Sequence, residues 1–123
     1  MKIVIAEKIA LSAVDLLRAE ARWKLVTPDQ IHADLPRQLE GADALIVRSA
    51  VNVDAALLEH ADKLRVIGRA GVGVDNIDLD AATKKGIAVM NTPGANAVAV
   101  AEHTLALMLA LARQVSRADH LTR

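Results

Sequence analysis

The sequence contains no cysteine, phenylalanine or tyrosine, and Trp23 is its only aromatic residue. Without cysteine there is no disulfide, no zinc–thiolate centre and no thiol nucleophile. With one aromatic ring there is no surface on which nucleobases stack and no cage for an organic cation. Net charge is lacking too. Fifteen Lys and Arg face fifteen Asp and Glu, so no general field draws the chain to a phosphate polymer or an anionic membrane. Nucleic acid and membrane are not expected partners. Residues 1–7 lack the basic, apolar and small-residue regions of a secretory signal. The longest nearly apolar run, residues 97–112, is short for a bilayer span and is broken by Glu102 and His103. A cytoplasmic setting is expected.

Reactive constellations are also missing. His32, His60, His103 and His120 form no i, i+4 pair and have no carboxylate at metal-ligand spacing, so no metal centre is expected. Glu102 and His103 are adjacent and point about 100° apart on a helix, which prevents them from acting as an acid–base pair. No Gly-x-Ser-x-Gly elbow occurs.

What is present is a large apolar fraction, 53 % of 123 residues, enough to bury the core of one domain. Five β-rich runs recur at 2–6, 23–26, 44–47, 65–68 and 87–90. Four of them are nearly continuous apolar stretches, as expected of parallel strands covered on both faces. Helical stretches lie between them. Ser12 with Asp15 reads as a capping-box-like start, Asp34 before Leu35-Pro36 as a cap, and Gly41 as a stop. Asp54 is read as the cap of residues 55–60 and Asp78 as the cap of 79–85, with Gly86 closing the latter. The alternation predicts an α/β fold: a flavodoxin-like, doubly wound, five-stranded parallel sheet of order 2-1-3-4-5, followed by a C-terminal apolar helix. That helix, 97–112, is apolar nearly all round, more than covering one sheet face requires, so an interface is expected for it.

Ligands of open parallel sheets bind at the carboxyl ends of the strands. The third strand runs into Arg48, the fourth into Arg69 and the fifth into Asn91, and these ends are neighbours in the predicted order. Two arginine forks at one edge point to an anionic ligand, with surface ion pairs to Asp43 or Asp75 as the competing reading. After the fourth strand, Gly71-Val-Gly-Val-Asp-Asn76 offers two glycines that let the backbone present successive N–H groups to an anion. It is not a full dinucleotide fingerprint: Asn76 stands at the third glycine, and no acid ends a following strand. Asn96 precedes the last helix, where its side chain either caps that helix or reaches the ligand. A receiver-like domain would need an aspartate where Arg48 stands, and a flavin site would need a hydroxyl- and glycine-rich loop where Glu7–Leu11 stands.

The segments Leu45-Ile-Val-Arg-Ser49, Gly68-Arg-Ala-Gly-Val-Gly-Val-Asp-Asn-Ile-Asp78, Asn91-Thr-Pro-Gly-Ala-Asn96 and Val100-Ala-Glu-His-Thr104 together resemble the D-isomer-specific 2-hydroxyacid dehydrogenases. Within that family they resemble the D-3-phosphoglycerate dehydrogenases. The resemblance implies NAD-dependent oxidation of 3-phospho-D-glycerate to 3-phosphooxypyruvate, the entry to serine synthesis. It implies that the backbone at Val72 and Gly73 holds the substrate carboxylate, that Arg48 and Arg69 hold the phosphate end, and that Asn96 orients the substrate. Val72 and Val100 would lie near the nicotinamide.

The same resemblance implies that residues 1–96 are a truncated substrate-binding domain and 97–123 an interdomain helix that normally packs in a nucleotide-binding domain. The Gly-x-Gly-x-x-Gly loop and the catalytic Arg, Glu and His would lie downstream. No catalytic residue is therefore expected in this chain, nor tight NAD binding, and the chain is expected to be inactive alone. Self-association through residues 97–113 is expected. The alternative is a non-catalytic, self-associating flavodoxin-like domain with a relic anion site.

Overall fold

A computed structural model describes residues 1–31 and 34–122. His32 lies outside the described residues. The chain divides into two compact units, Met1–Pro93 and Gly94–Arg123.

In the first unit the strands are β1 (Lys2–Ile5), β2 (Lys24–Val26), β3 (Ala44–Val47), β4 (Val66–Arg69) and β5 (Ala88–Met90). They form one parallel sheet of order β2-β1-β3-β4-β5, as the alternation of apolar runs and capped helices predicts. The helices are α1 (Leu11–Arg18), α2 (Pro28–Ile31), α3 (Leu35–Leu39), α4 (Ala55–Glu59) and α5 (Leu79–Lys84). β1 and β3 begin where their apolar patterns do, whereas β2, β4 and β5 begin one residue later, after Trp23, Arg65 and Ile87. α2 has no counterpart in the sequence reading.

Strand register explains the two-layer core. Val26, Val4, Leu45, Ile67 and Val89 are paired in a row across all five strands. This row packs against Ile31, Leu39, Leu58 and Ala82, so α2, α3, α4 and α5 cover this face. Alternate residues point the other way. Ile3, Ile5 and Ala44, with Ile46 and Val66, meet Val14 and Leu17 of α1. Leu45, Leu58 and Ile67 are fully buried, and each such side chain contributes about 1.5–3 kcal/mol.

The expectation that the strands are covered on both faces fails at one edge. Met90 is 63 % exposed and Ala88 is exposed as well. Beside them, a groove of about 440 Å³ runs between α1 and the β4–β5 half of that face, over Ile46 and Gly68.

Of the four Ser and Asp caps read from the sequence, three hold. Asp34, Asp54 and Asp78 each accept from a backbone N–H three residues on, from Arg37, Leu57 and Ala81. Gly41 and Gly86, at φ 65° and 69°, end α3 and α5 in the left-handed region that costs glycine nothing. The Ser12 cap is corrected. Helix α1 begins two residues earlier than a Ser12 cap implies, at Leu11, with Ala10 at the cap position and no side-chain capping bond. The Ala10 carbonyl already accepts from Ala13 and Val14, which puts Ser12 inside the first turn.

The second unit holds α6 (Ala97–Ala112) and α7 (Val115–Thr122), with Gln114 between them at φ 48°. The bounds of α6 are those read from the sequence; α7 has no counterpart there. No residue of α6 is buried, and Leu105, Leu109 and Leu111 are 60–78 % exposed. Among the described residues no helix is long and apolar enough to cross a membrane.

Candidate anion-binding site

The parallel pairing of β3 with β4 sets Val47 opposite Arg69, and Arg48 follows Val47 directly. Both arginines therefore stand at the carboxyl edge of adjoining strands. Gly68 pairs with Met90 across to β5, which brings Asn91 to the same edge.

The loop after β3 is fixed from two sides. The Glu7 carboxylate, just beyond β1, accepts the backbone N–H of Arg48 at 2.6 Å, of Ala50 at 3.0 Å and of Val51 at 3.3 Å. Burial raises the pKa of this carboxyl, but the three N–H bonds and the Arg48 charge outweigh it and hold Glu7 below its ordinary value. From the other side, Asn76 Nδ2 donates to the carbonyls of Arg48 and Val51 at 2.9 and 2.7 Å. The Arg48 guanidinium donates to the Lys8 carbonyl at 3.3 Å.

The loop after β4 is pinned in the same way. Ala70 N–H donates to Val47 and Gly71 N–H to Arg69. Thr92 N–H donates to the Gly71 carbonyl at 2.9 Å, and Asn91 Nδ2 to the Val72 carbonyl at 2.6 Å. The carbonyls of Gly71 and Val72 are thus engaged. Among the described residues, the N–H groups of Val72 and Gly73 donate to no protein acceptor. A Cβ on Gly71 would overlap the Arg69 guanidinium, and one on Gly73 would overlap the Asp75 carboxylate. At both positions a larger residue would displace the end of a neighbouring side chain rather than strain the backbone.

No carboxylate of the described residues lies within ion-pair distance of Arg48 or Arg69. The competing ion pairs with Asp43 or Asp75 do not form. Asp43 instead accepts the Lys2 N–H at 2.7 Å. Arg69 Nε is buried with no hydrogen-bond partner, an orphaned donor beside the two free amides.

Arg48, Arg69, Val72 and Gly73 all belong to the first unit, whereas Asn96 and Val100 belong to the second. Asn96 occupies the cap position of α6 but makes no side-chain capping bond. Val100 is 54 % exposed, and its carbonyl accepts the Thr104 hydroxyl. Among the described residues no group of three or more His, Asp and Glu is placed to hold a metal ion.

Sequence reasoning missed Glu7 and Asn76. Glu7 entered only as the start of a loop unlike a flavin site, and Asn76 only as a substitute for glycine. Their partners lie 25 to 44 residues away in the chain, and no local pattern announces such bonds.

The model of the D-isomer specific 2-hydroxyacid dehydrogenase catalytic domain matches residues 3–119. The chain belongs to this family. Among curated members, D-3-phosphoglycerate dehydrogenase of Archaeoglobus fulgidus is 45 % identical over 97 % of the chain. That of Mycobacterium leprae is 48 % identical over 95 %. The chain spans 23 % and 22 % of their lengths.

Solved structures agree in fold. A Thermus thermophilus protein superposes with a TM-score of 0.89 at 35 % identity, over 100 % of this chain and 40 % of that one. NAD⁺-bound 3-phosphoglycerate dehydrogenase of Entamoeba histolytica superposes at 0.74 and 34 % identity, over 89 % of this chain and 38 % of that one.

The loops of this dehydrogenase-family chain do not themselves fit a dinucleotide. A pyrophosphate needs a glycine-rich turn opening directly into a helix N-terminus. Here Asn76 is tied to Arg48 and Val51. The next helix, α5, starts only at Leu79 and is capped by the carboxylate of Asp78, which would repel the phosphates.

Proposed function

We propose that this chain is the substrate-binding part of an NAD-dependent D-3-phosphoglycerate dehydrogenase and is inactive alone. It holds 3-phospho-D-glycerate, which the complete enzyme oxidises to 3-phosphooxypyruvate at the start of serine synthesis in the cytoplasm. The observation that carries this reading is the pair of unengaged N–H groups at Val72 and Gly73 beside Arg69, whose Nε has no partner. Two adjacent amides suit a carboxylate, and the arginine forks of Arg48 and Arg69 suit a phosphate. The names of the relatives supply the substrate that carries both groups.

Residues 1–96 act as the substrate-binding domain, and 97–123 as an interdomain helical segment. Asn96 orients the substrate, while Val72 and Val100 line the nicotinamide side once a nucleotide domain is present. No residue of this chain is assigned to hydride transfer or to removal of the hydroxyl proton. Positioning by a two-arginine clamp supplies no proton acceptor.

Adding 3-phosphoglycerate to isotope-labelled chain tests the reading. The amide resonances of Val72 and Gly73 are expected to shift in a saturable way; unmoved resonances at millimolar ligand would count against it.

A second reading is favoured by a separate observation, the absence of any buried residue on the apolar helix α6. Self-association through residues 97–113 would cover it. Light scattering is expected to show more than one chain per particle, and a monomer at high concentration would contradict this. Association without anion binding would mark a non-catalytic domain with a relic site.

A further inference from the structure

The Glu7 carboxylate accepts from three separate backbone amides, and all three belong to the loop that carries Arg48. Glu7 follows β1, whose central partner β3 leads into that loop; Ala6 N–H still donates to Ile46, so the two chains run side by side up to this point. Amides at Arg48, Ala50 and Val51 would otherwise face water from a loop with no strand partner. A carboxylate among them has the character of an anion in a backbone nest, and its charge-assisted bonds are the strong kind. The next residue completes the grip, because the Lys8 carbonyl accepts from the Arg48 guanidinium itself. Glu7 and Lys8 thus hold Arg48 at its main chain and at its side chain.

We infer that Glu7 is a positioning residue: by fastening the 48–51 loop to the end of β1 it aims the Arg48 guanidinium at the anion held between β3 and β4. This rests on the anion-site reading above. Glu7 touches no ligand in this account and acts only through Arg48. A glutamine in its place keeps one acceptor oxygen but turns an N–H donor toward amides that are themselves donors.

The test is a double-mutant cycle on the whole chain, with 3-phosphoglycerate as the probe. Calorimetry measures affinity, and amide hydrogen exchange reports on Arg48, Ala50 and Val51. Glu7→Gln is expected to weaken binding about tenfold, the loss of roughly one charge-assisted contact, and to speed exchange at those three amides. In an Arg48→Ala background the same change is expected to cost less than about twofold, because the residue through which Glu7 acts is gone. Glu7→Asp, which keeps the charge one methylene further back, is expected to fall between wild type and Glu7→Gln; this ordering also guards against a merely unstable glutamine variant. An equal loss in both backgrounds, or unchanged exchange at the three amides, would overturn the inference. Binding that survives Glu7→Gln undiminished overturns it alone, whereas a wild-type chain that binds nothing overturns the anion-site reading and this inference with it.

Discussion

Asn76 donates its side-chain amide to the carbonyl of Arg48 at 2.9 Å, joining the loop after β4 to the loop after β3. The same nitrogen reaches the Val51 carbonyl at 2.7 Å. A residue that looks like a defect in a glycine motif is therefore the tie between two ligand-bearing loops. Asn76→Ala is expected to cost about 1–2 kcal/mol, since one side-chain group is lost and the half-buried Val51 carbonyl is left without it. Urea unfolding monitored by circular dichroism measures this, and Asn76→Asp should be no better, because a carboxylate cannot donate.

The aspartate caps make a second prediction. Asp54 and Asp78 each accept one first-turn amide at 2.8 and 2.9 Å. Asp54→Ala and Asp78→Ala are expected to destabilise by about 1 kcal/mol each, read as a lower midpoint in urea with an unchanged slope. Ser12→Ala should be near neutral, because Ser12 caps nothing in α1.

Acid sensitivity follows from Glu7. Its folded pKa lies below the ordinary value of 4.5, so its contribution is fully present above that value and is lost as pH falls through the folded pKa. Unfolding midpoints measured from pH 6 down to pH 3 are expected to drop less steeply in Glu7→Gln than in wild type. Parallel curves would contradict the assignment.

Gly71 is predicted to matter for binding more than for folding. A Cβ there meets the far end of the Arg69 side chain, which can swing aside. Gly71→Ala is expected to leave the unfolding midpoint nearly unchanged while weakening 3-phosphoglycerate binding several-fold, as calorimetry would show.

Much of the fold was legible because its determinants are local. Apolar β-branched runs such as Ile3-Val4-Ile5 mark strands, and Asp34, Asp54 and Asp78 announce the helices they cap. The start of α1 was misread because Ser12 is a good capping residue placed two positions too late, after a chain that has already turned at Ala10. In the site, the two arginines and the glycine loop were legible as residue types at strand ends. The bonds that arrange them were not, since Glu7 reaches 41 to 44 residues along the chain. The open side of β5 was missed although the predicted strand order already placed β5 at the sheet edge, because Met90 looks like any core methionine in sequence.

The most direct test of the anion site is calorimetric titration of wild-type and Arg69→Ala chains with 3-phosphoglycerate. Saturable binding to the wild type is expected, with an affinity at least about tenfold lower for the variant, the loss of one or more charge-assisted bonds. Equal affinities, or no binding to the wild type at millimolar ligand, would contradict it.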